Sequence, residues 1–234
     1  MQLQLYMWEG ARRMFLDQHL FYVEQLKTRL LSQFDDLEGQ ANRFGEEAYE
    51  RFGRAPGHGD VDMVDLAEAA HDEAVSHYLA LVELRNQVLL GGLAGMYHQW
   101  DKQLRKFIED EMRHYVGAEW TEQHVWKPAG EKVLDILGEF GWPVKSQPFH
   151  PMLDALRLVV NVYKHGKGGS LNDLAAKYPA YVVDPIKAAG FGAWRTALDH
   201  EWLTVIDEQF DEFADAISQF WAEMPERLYY DVPE

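Results

Sequence analysis

The sequence predicts an all-α protein, an antiparallel bundle of long helices with one short capping helix. Three observations carry this. Apolar residues recur at helical spacing in the first, middle and last segments, while no run of alternating apolar and polar residues stands out. Loops rich in Gly and Pro punctuate those segments. The 234 residues are 47% hydrophobic and contain no cysteine, so a sizeable core is expected without disulfides, thiolate metal sites or cysteine nucleophiles. A single helical domain over 1–234 is expected, with 61–224 as its main part and the helices of 1–60 packed on it.

The first helix is expected from Ala11 to Leu37, where Leu16, Val23, Leu30 and Leu37 recur every seven residues and Gly39 follows as a stop. A shorter helix over Ala41 to Phe52 leads into the loop Gly53 to Asp60. From Val61 to Tyr115 the pattern is helical again, interrupted by Gly91-Gly92. Two glycines disfavour helix by about 1 kcal/mol each relative to Ala, so either a tight turn or a kink fits there. Trp126 to Gly130 introduces a helix to Phe140, and the loop Gly141 to Pro151 feeds the next one, with Pro151 in its first turn. Ser170 to Asp173 starts a short helix that Pro179 ends. Glu201 to Asp207 reads as extended. The closing helix, Glu208 to Met224, aligns Phe210, Phe213, Ile217, Phe220 and Trp221 on one face.

The formal net charge is -17, which argues against a long nucleic-acid track, because such binding relies on Lys and Arg displacing counterions. The charge is uneven. Gln123 to Thr196 holds nine Lys/Arg against six Asp/Glu, whereas Ala197 to Glu234 holds one base against eleven acids. A local anionic ligand therefore fits the middle segment, and the acidic remainder suits docking to a basic partner. The N-terminus lacks a basic region followed by an apolar run, and no stretch reaches the ~18 apolar residues of a membrane helix. A cytoplasmic protein without membrane contact is the expectation.

The segment Asp154 to Gly166 reads as a nearly apolar helix with one narrow polar stripe. At 100° per residue, Asp154, Arg157, Asn161 and His165 fall within an arc of about 80°, bordered by Lys164. Burying such residues costs free energy unless they are paired or line a cleft. One reading is an ordinary helix end, with Lys164 and His165 on the negative dipole, Gly166 as stop and an Asp154–Arg157 ion pair. The other is a site: Arg157, Asn161 and His165 on successive turns, about 12 Å from end to end, suit a phosphodiester held by a cation with an imidazole as general acid or base. The adjoining Gly166-Lys167-Gly-Gly-Ser170 turn places Lys167 where it would help seat the substrate. No cofactor motif is present.

Glu68/His71 and Glu111/His114 repeat the Glu-x-x-His spacing of di-iron bundles, which take one such pair from each of two helices. In so acidic a chain both pairs read more simply as solvated faces, and no metal site is assigned.

The run Leu156-Arg-Leu-Val-Val-Asn-Val-Tyr-Lys-His-Gly166, followed by a Gly/Ser turn and a short helix ended by Pro179, resembles the HEPN superfamily. The final Phe210 to Trp221 helix and Met96 to Leu104 also look similar to helices of that group. Its members are small α-helical proteins, many of them metal-independent ribonucleases of toxin–antitoxin and antiviral defence systems, others catalytically inactive interaction or scaffold modules. The resemblance implies His165 as general base on a ribose 2′-hydroxyl, Arg157 stabilising the charged phosphorane, Asn161 orienting either, and Lys164 adding positive charge. It also implies a homodimer joined across the motif helices, RNA as substrate, and a protein partner such as an antitoxin or defence-system subunit. Seven residues separate Arg157 from His165, more than in the family's usual motif, and Leu158 stands where a polar residue usually follows the Arg.

Overall fold

The computed structural model describes residues 2–54, 62–184 and 198–232. The element order is β1 (Gln2–Tyr6), α1 (Glu9–Gln25), α2 (Leu37–Gly53), α3 (Met63–Met112), α4 (Ala118–Thr121), α5 (Gly130–Glu139), α6 (His150–His165), α7 (Gly169–Lys177), α8 (Asp207–Glu223) and β2 (Arg227–Asp231). The fold is all-α, with one two-stranded sheet among the described residues. The chain divides into two compact units, one of 1–24 and 90–234, the other of 25–89.

In the first unit the core forms around α8. Phe210, Phe213, Ile217, Phe220 and Trp221 are all buried, as their 3.6-residue spacing requires. Phe220 is the hub of an aromatic cluster. Its ring centroid lies 5.1 Å from Trp100, 5.2 Å from Trp142, 6.2 Å from Phe149 and 5.0 Å from Trp221, mostly edge-to-face. The helix α1 packs on α8 by stacking Phe15 on Trp221 at 4.4 Å. Arg12 donates to the Trp221 and Ala222 carbonyls at 2.6 and 2.9 Å, which satisfies acceptors that the last turn of α8 leaves open. At the other end, Gln209 accepts from the Ile206 N–H.

The strands were not expected. β1 and β2 pair antiparallel with Leu5 opposite Leu228, and Leu3, Leu5 and Leu228 turn inward. The Gln2-Leu-Gln-Leu-Tyr6 alternation is a period-2 signal, but five residues fix a strand only when a partner exists. That partner comes from the opposite end of the chain, and the Tyr6 N–H is bonded to Glu111 besides.

Several boundaries differ from expectation for identifiable reasons. The first helix ends at Gln25 and is followed by a π-type turn at Leu26–Leu30 and a 3-10 turn at Leu31–Phe34. Asp36 caps α2 through the Gly39 N–H at 3.0 Å, so Gly39 lies in a first turn rather than at a stop. Gly91-Gly92 forms no turn; α3 runs through it unbroken. The glycines admit close neighbours instead: Tyr22 donates to the Gly92 carbonyl at 2.9 Å, and a Cβ on Gly95 would stand 2.2 Å from the Tyr22 hydroxyl. Around them Leu90, Leu93 and Met96 are buried, which offsets the weak helix propensity. The stretch Glu201 to Asp207 is extended only in part: His200–Trp202 is a 3-10 turn, after which Leu203 and Ile206 have extended backbone and Leu203 bridges to Val182.

In the second unit, α2 and the 63–89 portion of α3 meet through small side chains: Ala41, Gly45, Ala48 and Ala70 are buried. Phe44 stacks on His77 at 4.2 Å, and Arg51 pairs with Glu73 at 2.6 Å. The expected loop Gly53 to Asp60 lies largely outside the described residues.

Candidate functional site

The stripe helix is α6, and most of its circumference is core. Leu153, Ala155, Leu156, Leu158, Val159, Val160 and Val162 are all buried. The stripe then divides into two chemically different halves.

At the N-terminal half, the Asp154 carboxylate is buried and saturated. Arg157 donates to its Oδ1 at 2.6 and 3.2 Å; Tyr178 donates to Oδ2 at 3.1 Å, and Lys177 reaches Oδ2 at 3.4 Å. The same guanidinium lies 3.0 Å from Glu131 on α5. Burial alone would raise the Asp154 pKa, yet the hydrogen bond and charge of Arg157, with Lys177 behind it, bring it down to about 2. The Tyr178 hydroxyl is pushed up to about 12, first by burial and then by the Asp154 charge.

A second ion pair stands beside this one. Arg105 on α3 donates to Asp101 at 2.7 Å, to the Trp126 and Pro128 carbonyls at 3.3 and 3.1 Å, and also to the Val125 carbonyl. One buried guanidinium thereby fixes the chain entering α5. Gly130 fits under it, because a Cβ there would stand 2.8 Å from the Tyr97 hydroxyl. Burial raises the Tyr97 pKa, and Asp101 adds to the shift. The crevice left between Tyr97, Trp100, Glu131, His150, Asp154 and Arg157 holds about 10 Å³, room for one water and no more. Burial lowers the His150 pKa in its wall, against the charges of Asp154 and Glu131.

At the C-terminal half, Asn161 is half-buried and Lys164 and His165 are exposed. Among the described residues none of the three makes a hydrogen bond or ion pair. His98 on α3 feels Lys164: burial lowers its pKa and that cation lowers it further. Gly166 ends the helix at φ 68°, a left-handed value, and a Cβ there would meet the His200 ring at 3.3 Å. Lys167 is held by Asp199 at 2.8 Å, and Asp199 also accepts from the Glu201 N–H at 3.2 Å. The Lys167 hydrogen bond, and after it the Glu201 N–H, hold the Asp199 carboxyl at about 2. The His200 Nδ1 approaches Asp199 to 2.9 Å but is not aligned to hydrogen-bond it.

The structure therefore joins Arg157 to Asp154 and Glu131, and Lys167 to Asp199. It leaves Asn161, Lys164 and His165 on successive outer turns, with Arg157 eight residues, or about 12 Å, along the axis from His165. Glu131 and Tyr178 complete the network and Arg105 forms the ion pair beside it; none of the three was singled out by the sequence. The Asp101/Arg105 spacing of four was a visible signal; the Glu131 and Tyr178 contacts join separate elements and had none.

The two Glu-x-x-His pairs fall on one helix and its end rather than on two facing helices, and Glu111 is taken up by the Tyr6 N–H at 2.9 Å. Among the described residues, no group of three His, Asp or Glu side chains is placed to hold a metal ion. Likewise, no helix among them is long and apolar enough to cross a membrane. Compared with known proteins, the chain matches no family model, no curated protein and no solved structure.

Proposed function

We propose that the chain is a helical interaction module, of the catalytically silent kind found among the HEPN proteins it resembles. The observation that carries this reading is the state of Arg157. Its guanidinium lies within 3.0 Å of two carboxylates, Asp154 and Glu131, so its charge is compensated where a phosphorane would need it. The neighbouring crevice is too small for a nucleotide, and the net charge of -17 disfavours RNA at large. An acidic helical surface suits a basic protein partner instead.

A second reading keeps one observation on its side. Asn161, Lys164 and His165 stand unpaired among the described residues on the accessible end of α6. A homodimer joined along α6 would double that set and make a metal-independent ribonuclease of a toxin or defence system. The two readings separate in one assay, RNA incubated with the protein in chelator. The module reading expects no cleavage by wild type. Cleavage that disappears in His165→Ala and Arg157→Ala, with helical content unchanged, would overturn it in favour of the nuclease.

A further inference from the structure

The second unit carries an open groove that the network around α6 does not use. Gly45 on α2 lies so near α3 that a Cβ would stand 2.8 Å from the Ala74 Cβ and 3.3 Å from the Ala70 carbonyl oxygen. Over this seam lie two openings of about 350 and 580 Å³, which share Asn42, His71 and Ala74 and so form one trough. It extends from Glu38 to Glu50 on α2 and from Ala67 to Tyr78 on α3. At 1.5 Å per residue that is about 17 Å, or three turns of a third helix. The floor is alanine, and Tyr49, Val75 and Tyr78 supply the apolar walls.

Charge says what fits there. Each arginine of α2 and its C-cap is already neutralised: Arg43 by Asp36 at 3.3 Å, Arg51 by Glu73 at 2.6 Å and Arg54 by Glu50 at 3.0 Å. Glu38 and Glu46 on the rim meet no cation among the described residues. Across Gln25 to Leu89 the sequence holds six Lys/Arg against thirteen Asp/Glu. The unit also leaves apolar side chains in solvent: Val75, Leu79 and Val82, at i, i+4 and i+7 on α3, remain 44%, 60% and 40% exposed. A two-helix hairpin with an open apolar face is an incomplete bundle.

We propose that the α2–α3 groove docks a cationic amphipathic helix of a partner protein. The apolar face of that helix lies on the alanine floor between Tyr49 and Tyr78, and its Lys/Arg side chains reach Glu38 and Glu46. The proposal rests on the interaction-module reading and gives the partner its chemistry. A second copy of this chain is the poorer occupant, because pairing groove to groove would set the same acids against one another.

The test uses the full chain and a labelled Leu/Lys amphipathic peptide of about four helical turns. Two peptides serve as controls: the same leucines with Glu in place of Lys, and a scrambled Leu/Lys sequence without an apolar face. Glu38→Lys/Glu46→Lys and, separately, Val75→Glu are expected to weaken binding about tenfold or more. Glu139→Lys/Glu208→Lys, with the same change in net charge, is expected to leave it nearly unchanged. All these positions are exposed, and circular dichroism verifies that each variant keeps its helix content. Equal losses in both charge variants, or equal binding of the scrambled peptide, would overturn the groove in favour of bulk charge. A wild-type dimer that Val75→Glu abolishes would overturn it in favour of a second copy. The RNA assay is independent of these outcomes. If the groove variants behave like the control and RNA stays intact, the groove fails and the module reading stands; His165-dependent cleavage removes the module reading whatever the peptides do.

Discussion

The two units hold their helices together in opposite ways. In the first, large rings fill the space between elements: Phe220 touches Trp100, Trp142, Phe149 and Trp221, side chains brought from α3, α8 and the loop between α5 and α6. In the second, α2 and α3 approach closely over small residues, where Gly45 faces Ala74 and the Ala70 carbonyl, with one ring contact, Phe44 on His77, beside them. The first arrangement buries much apolar area around one hub. The second gains close contact but strands Val75, Leu79 and Val82 in solvent. Free energy from burial scales with apolar area removed from water, so the aromatic cluster is expected to stabilise its unit more than the small-residue seam stabilises the hairpin.

The sharpest way to break this contrast is Phe220→Ala. Emptying the hub of the cluster is expected to cost about 3–5 kcal/mol, read from denaturant unfolding followed by near-ultraviolet circular dichroism. A loss below about 1 kcal/mol would mean that the rings are not what holds the first unit.

Asp154 comes next. Its pKa is lowered from 3.8 to about 2, so its contribution is fully present above the unfolded value and is lost as pH falls from about 4 towards 2. The wild type is expected to lose about 2 kcal/mol over that interval from this group. Asp154→Asn should flatten that part of the pH–stability curve while lowering stability at neutral pH. An unchanged slope in the variant would place the acid sensitivity elsewhere.

Gly45→Val probes the hairpin. The added carbons meet Ala74 and the Ala70 carbonyl, and the expected cost is about 1–3 kcal/mol, confined to the second unit. Hydrogen exchange is the measurement: amides of 37–53 should exchange faster while those of 207–223 keep their rates. Uniform acceleration along the chain would show that the two units unfold together. The smallest effect belongs to Arg43→Ala, which removes an exposed ion pair to Asp36 and is expected to change stability by less than about 0.5 kcal/mol. A larger loss would mean that charge pairs, not the small-residue seam, hold the hairpin.

The elements legible in the sequence are those set by local signals. The periodicity of Phe210 to Trp221 and the Leu/Val-rich face of α6 set both helices closely, because an apolar stripe at 3.6-residue spacing has one way to be buried. Asp154 and Arg157, three residues apart, were legible as a pair for the same reason. The strand Gln2–Tyr6 was not, since its partner comes from the opposite end of the chain. Nor was the path of α3 through Gly91-Gly92, where local propensity favours a break and the packing of Tyr22 and buried leucines prevails.

By itself, then, the sequence determined the helical class, the buried face of each amphipathic helix and the polar stripe from Asp154 to His165. Those properties depend on residues a few positions apart, whose geometry a single helix dictates. Only the tertiary structure decided what that stripe is. Glu131 and Tyr178, brought in from other elements, tie Arg157 and Asp154 into an ion network, while Asn161, Lys164 and His165 remain outside it. Whether a charge is compensated depends on distances of a few ångströms between elements far apart in the chain, and Coulomb interactions at such range follow the fold rather than the order of residues.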